Sequence, residues 1–70
     1  MKGVETKSMT KYEIRINTVP RLHDGFMQFY WQIVMICNDG VFTIKHGWSD
    51  AIAIAALSAA KEAVSMKVNW

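Results

Sequence analysis

From Lys11 the apolar and polar residues alternate: Tyr12, Ile14 and Ile16 interleave with Glu13, Arg15 and Asn17, the period of a strand with one dry and one wet face. Pro20, which has no amide hydrogen for a ladder, ends that strand. Pro20 to Gly25 reads as a connection, with Gly25 free to take positive φ. The stretch Phe26 to Asn38 is rich in aromatic and β-branched residues, and Met27, Phe29, Trp31, Ile33, Met35 and Cys37 all fall on one face. This is the expected central strand. At about 3.3 Å per residue it would run roughly 40 Å, long enough to require a bend or bulge.

Asp39-Gly40 then marks a two-residue hairpin turn, because a type I′ turn needs positive φ at both central positions. Pairing Asn38 with Val41 sets Cys37 opposite Phe42, Met35 opposite Ile44 and Ile33 opposite His46. Gly47-Trp48 breaks the third strand, and Ser49 is a suitable N-cap for a helix from Asp50 to about Lys67, with Asp50 facing the positive end of its dipole. On that helix Ile52, Ala55, Ala56, Ala59, Ala63 and Met66 form a stripe of mostly small residues that fits against a sheet supplying Phe29, Trp31 and Phe42. A second stripe, Leu57, Val64 and Val68 with Ala53 and Ala60, lies roughly 140° round. Either the sheet curls to cover it or a second subunit does. The predicted architecture is an α+β fold: a three-stranded antiparallel meander in the order 1-2-3, packed by one long C-terminal helix. Residues 1–10, polar and aperiodic, read as a flexible leader to a single domain over residues 11–70.

Seventy residues bury a modest core, and one cysteine, Cys37, excludes an internal disulfide. Self-association is the remaining means of reinforcement, so a homodimer is expected. No apolar run is long enough to span a bilayer and the first residues carry no secretory pattern, which predicts a soluble protein of the cytoplasm without a membrane partner. Eight basic and six acidic side chains neither require nor exclude nucleic acid.

Chemistry-bearing motifs are sparse. Cys37 and His46 share a face in the expected register but sit about four strand positions apart, too far for a thiol and its base. His23, Cys37 and His46 lack metal-site spacing, and there is no phosphate loop, nucleophile elbow or paired buried carboxylate. No enzyme activity, cofactor or metal is therefore expected. Trp31 reads as core, whereas Trp48 and Trp70, at a loop and a terminus, are either core caps or contact residues.

The order of elements resembles the last four elements of the double-stranded-RNA-binding domain family. The likeness runs from Tyr12 to about Ala63: Tyr12-Glu13-Ile14 in the first strand, Pro20 and His23 before Phe26, the Asn38-Asp39-Gly40 turn, and Gly47-Trp48-Ser49 leading to an alanine-rich helix. It implies contact with an RNA duplex through the loop holding His23, with Arg21 beside it. The family's first helix has no counterpart in the ten leading residues, and its helix-start lysine positions hold Asp50, Ala51 and Ile54.

Two functions follow. The first is a small protein-binding module, an inhibitor or adaptor of the compact type that phages and mobile elements encode, joined through Leu57, Val64, Val68, Trp48 and Trp70 or an open sheet edge. The second is binding of nucleic acid, double-stranded RNA or DNA, through the outer sheet face where Arg15, Gln28, Tyr30, Gln32, Thr43 and Lys45 would cluster, or through Arg21 and His23. The scattered basic residues rank the protein-binding reading first.

Overall fold

The computed structural model describes residues 10–67. Five elements follow in order: β1 (Lys11–Ile16), β2 (Arg21–His23), β3 (Phe26–Cys37), β4 (Gly40–Ser49) and α1 (Ile52–Met66). The α+β class and the single C-terminal helix are as expected, but the antiparallel sheet has four strands, not three. Both β1 and β2 lie along one edge of β3, β1 against Trp31 to Ile36 and β2 against Phe26 to Gln28, while β4 takes the other edge. Pro20 interrupts what is in effect one broken edge strand, because its ring nitrogen cannot donate to the ladder. Residues 1–9 of the expected leader and the positions of Val68 and Trp70 lie outside the described residues.

Two turns distinguish this fold from the expected one. The type I′ conformation is taken by the first Asp-Gly pair: Asp24 and Gly25 have φ of 53° and 84° and join His23 directly to Phe26. At the second pair Asn38 and Asp39 form the turn, Cys37 pairs with Gly40, and the positive φ of 134° falls on Gly40 alone. The register therefore differs from that expected. Met35 faces Phe42, Ile36 faces Val41, and Ile33 faces Lys45.

The bulge expected in the long central strand falls instead on its neighbour: the β3–β4 ladder slips by one residue, and the extra residue sits on β4. Ile33 pairs with Lys45 and Val34 with Thr43, which leaves Ile44 without an opposite. Because strand side chains alternate, that one residue puts Thr43 and Lys45 on different faces of the sheet. Thr43 donates to Gln32 Oε1 at 2.7 Å on the outer face, and Lys45 meets Glu62 of the helix at 3.3 Å on the other. The expected grouping of both residues on one face is thereby corrected. His46 pairs with Gln32 on the outer face, so it does not share the inner face with Cys37 either.

Gly47-Trp48 does not break the strand; β4 continues to Ser49, which is buried and pairs with Phe29. The reason lies across the sheet. A Cβ on Gly47 would stand 2.7 Å from Trp31 Cζ2, so glycine is what leaves room for the indole. The helix starts at Ile52 with Ala51 as its N-cap, and no side chain caps it. Ser49 is thus not the cap. Asp50 accepts a hydrogen bond from Gln28 Nε2 at 2.7 Å and lies outside the first turn.

Ala55, Ala59 and Ala63 of α1 are buried against Trp31 and Ile33, with Ile16 and Met66 packed at the border. Small residues let the helix axis approach the sheet closely, and the large residues on the strand fill the gap. The covered stripe is narrower than expected: Ile52 and Ala56 are exposed, and so is Phe42, beyond the helix.

Candidate functional site

The sheet does not curl around α1. Leu57 is 62% exposed and Val64 79%, and Ala53, Ile54 and Ala60 beside them are also exposed. Among the residues expected to form a protein interface, Leu57 and Val64 thus share the outward side of the helix. Trp48 does not join them, since it pairs with Tyr30 on the opposite, outer face of the sheet. Val68 and Trp70 fall outside the described residues.

The outer face carries the greater concentration of polar and aromatic groups. Alternation along β3 places Gln28, Tyr30 and Gln32 there, and the pairings bring up Arg15 and Arg21 from one edge and Thr43, His46 and Trp48 from the other. The imidazole of His23 stacks on the Trp48 indole with centroids 4.3 Å apart and planes 7° from parallel. Trp48 in turn meets Tyr30 at 5.1 Å, and Tyr30 meets His46 at 5.9 Å. His23 Nδ1 lies 3.0 Å from Gln28 Oε1, and Gln28 passes its own donor to Asp50. This chain of contacts ties the three-residue β2 to the rest of the sheet.

A depression of about 380 Å³ opens on this face, lined by Asn17, Arg21, Tyr30, Gln32 and Trp48. Four of the five expected nucleic-acid residues, Arg15, Arg21, His23 and Tyr30, share the face. Lys45 does not, for the reason of the bulge. Arg15 is paired with Glu13 at 3.1 Å, whereas Arg21 has no hydrogen-bond or ion-pair partner among the described residues. Sequence reasoning overlooked Trp48 and Asn17 as members of this group. Reading Gly47 as a strand residue would not by itself have found Trp48: without the extra residue at Ile44 the alternation puts Trp48 on the helix side, and both features are needed to bring it beside Tyr30.

A third surface is the tip of the β2–β3 hairpin, where Leu22 is 71% and Phe26 68% exposed. The helix makes its main contacts with β3, β4 and β1. Among the described residues no cluster of His, Cys, Asp and Glu could hold a metal ion, and no helix is long and apolar enough to cross a membrane. No family model, no curated protein and no solved structure matches this chain.

Proposed function

We propose that this chain is a non-enzymatic protein-binding module that pairs with a second copy of itself through the outward side of α1, in the manner of a compact inhibitor or adaptor. The observation that carries the reading is the spacing of exposed residues on that side. Ala53, Leu57, Ala60 and Val64 recur at intervals of four, three and four, the spacing of a coiled-coil seam, and they alternate small and large. All four are exposed.

That alternation favours one orientation. If two helices run antiparallel about an axis between Ser58 and Ala59, Ala53 faces Val64 of the second copy and Leu57 faces Ala60 of it. Every layer then matches one large side chain with one small one, as close packing requires. A parallel pair would set Leu57 against Leu57 and leave a hollow at Ala60. The antiparallel pair is also isologous, so the same patch serves both copies and the assembly closes at two.

Sedimentation equilibrium across a range of concentrations tests this. The expected mass rises from that of the 8.0 kDa chain to twice it, and replacing both Leu57 and Val64 with lysine holds it at the monomer while the circular dichroism spectrum is unchanged. Ala60→Leu separates the orientations: it overfills the antiparallel layers and weakens the dimer, whereas it would fill the hollow of a parallel one. A monomer mass at every concentration overturns the reading.

A further inference from the structure

We infer that the depression on the outer sheet face is a binding site for a nucleotide unit, a planar base bearing phosphate, either free or within a single strand. The inference is independent of helix pairing, since it concerns the other side of the molecule. Three features of the depression carry it.

The first is which polar atoms remain uncommitted. Asn17 Oδ1 already accepts the amide of Val19 at 3.0 Å, and Gln32 Oε1 already accepts the hydroxyl of Thr43 at 2.7 Å. The NH₂ group of each amide has no partner among the described residues. Arg21, the Tyr30 hydroxyl and the Trp48 indole N–H, which line the same space, have no hydrogen-bond partner among the described residues. A guanidinium, two amide NH₂ groups, a phenol and an indole together make a lining dominated by donors. Its complement is rich in acceptors and negatively charged, which describes a phosphate and the carbonyl and ring-nitrogen edge of a base.

The second feature is the rings. Tyr30 and Trp48 offer aromatic surface within the same depression, and every base has a flat face to lay on such a surface. The indole is held by its stack on His23, which is itself fixed by Gln28, so the ring is oriented before any ligand arrives. The third feature is size and openness to one molecule. A volume of about 380 Å³ lies within the usual range for small-ligand sites. A duplex presents its bases stacked edge-on and cannot lay one into such a depression; an unpaired nucleotide can.

The test uses the full chain and a fluorescein-labelled single-stranded DNA decamer of mixed sequence at low salt, followed by anisotropy. The decamer is expected to bind, the duplex of the same sequence to bind more weakly, and Arg21→Gln and Tyr30→Leu each to lower affinity by about tenfold. Lys45→Gln, on the other face, is expected to leave it unchanged. Competition by adenosine monophosphate identifies a free nucleotide as the source; binding of the decamer without such competition identifies the strand. Circular dichroism on each variant confirms that it folds, and Arg21→Lys, which keeps the charge but not the planar fork, is expected to recover part of the affinity. The inference is overturned if neither decamer nor mononucleotide binds, if the duplex binds as tightly as the strand, or if Lys45→Gln and Arg21→Gln weaken binding equally.

Discussion

Adjacent residues of β3 meet two different environments. Trp31 and Ile33 project onto three alanines of α1 and are buried there, while Tyr30 and Gln32 project to the other side among His46, Trp48 and Arg21. The difference is one of complementarity. The helix-covered side is held at its centre by size, large on the strand and small on the helix. The outer side uses directional groups, and around the depression the side-chain oxygens of Asn17 and Gln32 are satisfied while the NH₂ groups beside them, like Arg21, have no partner among the described residues. Stability should therefore reside on the first side and ligand selectivity on the second.

The comparison breaks most sharply at Ile33, which is fully buried. Ile33→Ala is expected to cost about 2 to 5 kcal/mol in urea unfolding, the sum of lost transfer energy and a cavity the rigid alanine stripe cannot fill. Gln32→Ala, one residue away on the outer face, is expected to cost about 0.5 to 1.5 kcal/mol through its lost bond from Thr43. Equal costs would mean that the two faces are not energetically distinct. Next in size is Gly47→Ala, expected to cost about 1 to 3 kcal/mol by forcing the Trp31 ring or the strand to shift. Near-UV circular dichroism should register the moved indole, and an unchanged spectrum with unchanged stability would show that the ring has room.

Much of this division was legible in the alternation of β1 and β3, because the period of two is a local property. Met27 to Cys37 on one face and Ala55, Ala59 and Ala63 on another could be read without knowing what they touched. What the pattern did not reveal depends on partners distant in sequence. Gly47 read as a strand break because its reason for being glycine is Trp31, which lies on another strand. The bulge at Ile44 has no signature of its own, and missing it moved Lys45 to the wrong face. β2 is too short for any period, yet it is what brings His23 onto Trp48. The two Asp-Gly pairs are identical as dipeptides, and only the pairing shows that the first takes the I′ geometry and the second does not.

That last contrast supports a smaller test. Gly25 has φ of 84° with open space around the missing Cβ, so Gly25→Ala is opposed by backbone conformation alone. About 1 kcal/mol of destabilisation is expected, the usual excess of a left-handed conformation for a residue with a side chain. Gly25→Asn should lose less, because asparagine tolerates that region. If alanine and asparagine cost the same, the turn does not hold its I′ form in solution.

The smallest effect belongs to Lys45 and Glu62, 3.3 Å apart with both side chains more than two-fifths exposed. Water and salt screen such a pair, and ordering two long side chains offsets much of the attraction, so a double-mutant cycle with Lys45→Gln and Glu62→Gln should give a coupling of about 0.5 kcal/mol or less. A coupling that is small but present, and that fades in high salt, places Lys45 on the helix side of the sheet as the bulge requires. No coupling at any salt, with Lys45→Gln instead weakening nucleotide binding, would place Lys45 on the outer face and remove the bulge from the β4 ladder. The pair thus matters less for the energy it supplies than for the face it reports, and that face decides which cations the outer depression has at its disposal.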